Sequence, residues 1–235
     1  MPAIEVFPSV DWVVDAAADH FARCFRQAVD DKGDFLVALA GGSSPERLYR
    51  RLADTRESLP WNRAKVFVSD ERYVGLGAPE SNFGMIRRTL LDHVAAHAFP
   101  VPVELGTPEE AASAYSNQIR HVVGDPQVFD LILLGMGEDG HTASLFPGKS
   151  VLHSTAWVEA APHGELPPPV PRISFTFPLI RQARSVLLVA TGANKGPALA
   201  RWTRGTEPID QLPVMGLEPL AGRLRVLTDI AEGIG

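Results

Sequence analysis

Cysteine is nearly absent: Cys24 is the only one in 235 residues. No disulfide can form within the chain, and nothing points to an oxidising compartment. Positive charge is also short. Lys and Arg number 22 against 28 Asp and Glu, a formal net charge of −6. That balance argues against a nucleic-acid surface, because a phosphate backbone demands clustered cations. No apolar run approaches the roughly 20 residues that a membrane span needs. The opening Met-Pro-Ala-Ile-Glu-Val lacks the basic stretch and apolar run of a signal peptide. Repeats and low-complexity tracts are missing too. These absences lead to the expectation of a soluble, cytoplasmic protein with no nucleic acid, membrane or obligate protein partner.

What the chain does have is apolar content of 45%, enough for a substantial core, at a length suited to one α/β domain over residues 1–235. Residues 11–30 carry Trp12, Val13, Ala16, Ala17, Phe21, Cys24, Phe25 and Ala28 as a helical stripe, which predicts a buried structural thiol at Cys24. Phe35 to Ala40, Lys65 to Ser69, Leu131 to Leu134, Ile173 to Phe177, Val186 to Ala190 and Leu224 to Thr228 read as strands. Helices are expected from Ser44, with Ser44 as N-cap and Pro45 in the first turn, over Ser81 to His97, and over residues 108–123. Apolar strands alternating with helices predict a Rossmann-like three-layer αβα sandwich with a mostly parallel sheet. Pro167-Pro-Pro-Val-Pro171 is too short for a domain linker and reads as a stiff surface segment.

The most informative stretch is Phe129-Asp-Leu-Ile-Leu-Leu-Gly-Met-Gly-Glu-Asp-Gly-His-Thr-Ala-Ser-Leu-Phe-Pro-Gly148. An apolar strand stops at Gly135, Gly137 and Gly140, residues that turn the chain sharply and admit a ligand. Asp139 and His141 sit in that turn, a carboxylate beside a side chain able to exchange protons near neutral pH. Taken literally, Gly135-x-Gly137-x-x-Gly140 is also the dinucleotide fingerprint. That motif needs a long helix facing the pyrophosphate. Here Pro147-Gly148 interrupts any helix within about two turns, and Glu138 and Asp139 add negative charge, so the nucleotide reading is set aside.

Other candidates fall at strand ends, where open α/β sheets bind ligands. Gly41-Gly42-Ser43-Ser44-Pro45 leads from a strand into a helix, whose N-terminal N–H groups suit a phosphate; a plain capped turn explains the same residues. Arg172 and Lys195 could supply further cations, or be surface charges. Asp70-Glu71-Arg72 is three adjacent charges at a strand end, unsuited to a core; the run is either a solvated loop or part of the same rim. His93 and His97, spaced i, i+4, lack a third metal ligand and read as an ordinary helix surface.

These residues resemble the 6-phosphogluconolactonase family, within the wider glucosamine-6-phosphate isomerase and lactonase superfamily. Ala40-Gly-Gly-Ser-Ser-Pro45, Val68-Ser-Asp-Glu-Arg72, Ser81-Asn82, Leu134 to Gly148, Pro171-Arg-Ile-Ser174 and Gly192-Ala-Asn-Lys195 carry the likeness in order. Ser44 stands where the family commonly has Thr. The resemblance implies hydrolysis of a phosphorylated sugar lactone, 6-phospho-D-glucono-1,5-lactone, without cofactor or metal. His141 would be the general base, supported by Asp139, with Asp70 and Arg72 at the catalytic end. Arg72 would meet the carbonyl oxygen or neighbouring hydroxyls, or instead the phosphate. Gly41, Gly42, Ser43, Ser44, Arg172 and Lys195 would hold the phosphate. The isomerase branch places a further carboxylate five residues beyond the histidine and lacks the arginine after Asp-Glu; this chain has Phe146 and Arg72. A non-catalytic sugar-phosphate sensor would normally carry a DNA-binding helix-turn-helix, and no basic recognition helix precedes Phe35.

Overall fold

A computed structural model describes residues 3–124, 129–164, 169–220 and 222–231. In chain order the elements are β1 (Ala3–Val6), α1 (Val10–Lys32), β2 (Phe35–Leu39), α2 (Ser43–Asp54), β3 (Ala64–Val68), β4 (Asp70–Arg72), α3 (Asn82–Thr89) and β5 (His97–Ala98). They continue as α4 (Pro108–Val123), β6 (Leu131–Gly135), β7 (Val158–Ala161), β8 (Arg172–Phe175), α5 (Phe177–Ile180), β9 (Val186–Ala190), α6 (Gly196–Arg204) and β10 (Leu224–Thr228).

Seven strands form one sheet in the order β1-β10-β9-β6-β2-β3-β5, every neighbouring pair parallel. The five inner strands β2, β3, β6, β9 and β10 bury both faces. Phe35, Val37 and Leu39 join one core with α1 and α2, while Leu36 and Ala38 join the other with α4. Helices thus cover both faces, the layering that the sequence predicts. On the α1 side Phe21, Phe25, Phe35 and Trp61 interlock, with Phe25 and Phe35 stacked at 4.5 Å between centroids. Burial of each such ring contributes about 1.5–3 kcal/mol.

Successive strands β2, β3 and β5 run to one side; β6 then enters on the opposite side of β2. The sheet's switch point therefore lies between β2 and β6, the crevice where open α/β sheets bind ligands. The loops after those two strands are Gly41–Gly42 and Met136–His141.

Four expectations change. Ile173 to Phe177 does not join the main sheet: β8 pairs antiparallel with β4 and β7 in a separate three-stranded sheet. Asp70-Glu71-Arg72 is accordingly a strand, and Glu71 is completely buried. The helix expected over Ser81 to His97 ends at Thr89, so His93 and His97 do not share a helix face. In α1 the buried stripe matches, except that Trp12 is 62% exposed and Ala16 and Cys24 are only half-buried. The proline segment at 167–171 lies partly outside the described residues. No described helix is long and apolar enough to cross a membrane.

Candidate active site

Three carboxyl-end loops, together with β4 and β8 of the small sheet, converge on one cleft. Its wall includes Gly41, Gly42, Ser43 and Ser44 after β2, Asp70 and Arg72 from β4, and Gly137 and His141 after β6. Arg172 from β8 and Lys195 before α6 complete it. Of the ten residues that the resemblance implies for catalysis and phosphate binding, all line this cleft except Asp139, which lies directly behind His141.

The loop after β6 is built for that pair. Gly137 N–H donates to the His141 carbonyl at 2.9 Å, closing a tight turn. His141 Nδ1 lies 2.5 Å from Asp139 Oδ1, and the same oxygen accepts the His141 backbone N–H at 3.1 Å. A Cβ at position 137 would sit 2.1 Å from Nδ1 and 2.7 Å from Asp139 Oδ1, so only glycine lets the pair fold over the turn. Burial pushes the Asp139 carboxyl upward, but its bonds and charge contact with His141 outweigh this and hold it below its ordinary value. An ionised Asp139 accepts the Nδ1 proton, which leaves Nε2 as the basic nitrogen. Phe146 packs beside the imidazole at 4.5 Å between centroids. No helix follows this glycine turn, as the dinucleotide motif would require. Ala143, on the cleft wall, holds a left-handed φ of 48°, a strained conformation of the kind concentrated at functional sites.

The opposite end of the cleft is electropositive. Helix α2 starts after Gly42 with no side-chain cap, so its first-turn N–H groups keep their unpaired positive ends. This corrects Ser44 as N-cap. The Ser44 hydroxyl instead meets Thr191 Oγ1 at 2.6 Å and tethers α2 to the loop after β9. Arg172 is 5% exposed, and its guanidinium lies 5.8 Å from the Phe146 ring centre. Burial lowers the pKa of Arg172 against the pull of Asp70, and that of Lys195 against the pull of Glu138 and Asp229. Two desolvated cations beside an uncapped helix start have the chemistry that suits an anion.

Between the two ends stand Asp70 and Arg72. Asp70 Oδ2 accepts the Ser144 hydroxyl at 2.7 Å. Arg72 Nη1 donates to the Glu80 carbonyl at 2.7 Å, while its Nε is buried without a partner among the described residues.

A family model described as glucosamine-6-phosphate isomerases/6-phosphogluconolactonase matches residues 8–226. The chain belongs to that family. A 6-phosphogluconolactonase of Synechocystis is 36% identical over 239 residues, covering 99% of this chain and 97% of its own. One from Mycobacterium tuberculosis is 36% identical over 225 residues, covering 91% and 90%. Among solved structures, the 6-phosphogluconolactonase of Trypanosoma brucei superposes with a TM-score of 0.86 at 28% identity, covering 100% and 99%. A monomeric glucosamine-6-phosphate deaminase superposes at 0.83 with 20% identity, covering 97% of each chain. A deaminase and a lactonase structure thus share this fold.

Three residues at or behind the cleft wall lie outside the candidates drawn from sequence: Asn82, legible there only as part of a motif, Glu71, part of a run read as either a solvated loop or the rim, and Phe146, noted only as the place of an absent carboxylate. The pattern Ser81-Asn82 directly before a helical stretch was the available signal for the first.

Proposed function

We propose that this chain hydrolyses 6-phospho-D-glucono-1,5-lactone to 6-phospho-D-gluconate, the second step of the oxidative pentose phosphate pathway, as one cytoplasmic catalytic domain spanning residues 1–235. The observation that carries the reading is the setting of His141. Asp139 occupies Nδ1, Phe146 covers the ring, and Nε2 has no protein partner among the described residues. Such an imidazole can take one proton from a water molecule and return it.

Water attacks the lactone carbonyl carbon as Nε2 removes its proton, and the carbonyl π electrons move to the oxygen. Arg72 stabilises that oxyanion or the adjacent hydroxyls, with Asp70 alongside it at the reacting end. Collapse re-forms the carbonyl and breaks the bond to the ring oxygen, which receives the proton from the imidazolium. The α2 start at Gly41, Gly42, Ser43 and Ser44, with Arg172 and Lys195, holds the 6-phosphate. Remote binding of this kind places the reacting carbon against the base.

The alternative is isomerase or deaminase chemistry on an amino sugar phosphate. The isomerase branch's further carboxylate falls at Phe146 here, a side chain that cannot relay a proton. The deciding assay forms the lactone in place from glucose 6-phosphate, NADP and its dehydrogenase at mildly acidic pH, where spontaneous hydrolysis is slower. Faster loss of lactone with this protein supports the reading. No acceleration by folded protein moves glucosamine 6-phosphate deamination, then ligand sensing, to the front.

A further inference from the structure

Asn82 stands between the two ends of the cleft. Its backbone is seated on Glu71, whose Oε1 accepts the N–H groups of Asn82 and Arg72, each at 2.7 Å. Glu71 Oε2 accepts the Phe83 N–H at 2.8 Å and the Ser81 hydroxyl at 3.0 Å. A wholly buried carboxylate therefore fixes the first turn of α3 to β4.

From that seat the Asn82 side chain reaches two ways. Its Nδ2 donates to the Asp70 carbonyl at 2.7 Å. Its Oδ1 presses on Gly41, where a Cβ would lie only 1.9 Å away. Asn82 is 2% exposed, and Oδ1 has no hydrogen-bond partner among the described residues. An apolar side chain would fill this space without leaving an amide oxygen unsatisfied, so packing alone does not account for an asparagine. The contacts do. Asp70 and Arg72 face the reacting end, whereas Gly41 opens the turn into the anion-binding start of α2.

We propose that Asn82 is a positioning residue that sets the spacing between the phosphate cradle and the lactone-facing strand, so that a bound phosphate delivers the reacting carbon to His141. This inference rests on the lactonase reading above. Asn82 does not hold the phosphate itself; that falls to the α2 start, Arg172 and Lys195. Disturbing Asn82 therefore separates reactivity from phosphate binding.

The test uses Asn82→Ala and the near-isosteric Asn82→Leu, neither of which alters a residue of the phosphate cradle. Lactone turnover is measured per folded protein, together with the competitive inhibition constant of inorganic phosphate. The expected result is a kcat lower by about tenfold to a hundredfold, the usual consequence of a displacement near 1 Å. The phosphate inhibition constant is expected to stay within about twofold, because the cradle is intact. Asn82→Leu keeps close to the side chain's size without adding charge and guards against a packing defect in Asn82→Ala. Loss of kcat and phosphate affinity together would overturn the proposal, as would no change in kcat. Wild-type protein that leaves the lactone untouched would instead sink the lactonase reading, a separate and recognisable outcome.

Discussion

Asp139 holds His141 twice with one oxygen, through Nδ1 at 2.5 Å and through the backbone N–H at 3.1 Å. The first contact fixes the tautomer and the second fixes the loop that carries the ring. In the proposed mechanism a carboxylate so placed aims Nε2 and stabilises the imidazolium formed when Nε2 takes a proton. Replacing His141 with Ala should lower kcat by about 10²- to 10⁴-fold with little change in melting temperature. Asp139→Asn should lower kcat while leaving phosphate inhibition intact. Stopped or coupled assays of lactone loss check both; near-wild-type turnover by His141→Ala would exclude the mechanism.

Gly137→Ala is the sharper test of the loop, since it touches neither the base nor its partner chemically. The new methyl would start 2.1 Å from His141 Nδ1, so the ring or the turn must move. Turnover should fall at least about tenfold, with a far-ultraviolet dichroism spectrum like that of wild type. Unchanged turnover would mean that the ring's position is not set by this turn.

Phe146 gives a third prediction. It is 4% exposed and lies against both the His141 ring and, at longer range, Arg172. Phe146→Leu keeps the site apolar and should cost about 1–2 kcal/mol of stability at most, measured by urea unfolding. Turnover should drop more than stability does, because the imidazole loses a flat wall. Equal effects on both would reduce Phe146 to packing.

Much of this was legible from sequence, for identifiable reasons. Buried parallel strands announce themselves as apolar runs, and β2, β3, β6, β9 and β10 begin within a residue of where those runs begin. Glycines and charges at strand ends marked the cleft because an α/β sheet gathers such ends on one side. The small antiparallel sheet was hidden, since Asp70-Glu71-Arg72 has the composition of a solvated loop. Its burial depends on donors from Ser81, Asn82 and Phe83, some ten residues away, which no local pattern reveals. Likewise the N-cap expected at Ser44 failed because its hydroxyl finds Thr191, a partner 147 positions along the chain. Local propensity gave way to tertiary contact in each case.

Glu71 itself should matter more to stability than to chemistry. Burial raises its pKa against the pull of backbone donors at Phe83, Asn82 and Arg72 and the Ser81 hydroxyl. Glu71→Ala strands those donors in the interior, at a cost on the order of 1–3 kcal/mol for each group left unsatisfied. Urea unfolding should show a large loss for Glu71→Ala and a smaller one for Glu71→Gln, which keeps one acceptor. A loss below about 1 kcal/mol for the alanine variant would mean that water reaches the site.

His20, at the other end of the sheet from the cleft, contributes to the acid side of the stability curve. Its Nε2 meets Ser185 Oγ at 3.0 Å and Cys24 Sγ at 3.5 Å. Burial lowers its pKa from 6.5 to about 4, helped by the charges of Arg225 and Arg23 and opposed by Glu5. Between those two values the unfolded chain binds a proton that the folded chain refuses, so stability falls as pH falls through that window. Above pH 6.5 the neutral ring costs nothing; below about 4 both states are protonated and this contribution is fully lost. Allowing for partial exposure, the loss is on the order of 2 kcal/mol. His20→Gln retains a polar group that can face Ser185 and removes the titration. Its unfolding free energy should therefore be flatter than wild type between pH 6.5 and 4, and parallel to it between pH 7 and 8. Parallel curves across the acid window would show that His20 takes up its proton as readily in the folded protein as in the unfolded chain.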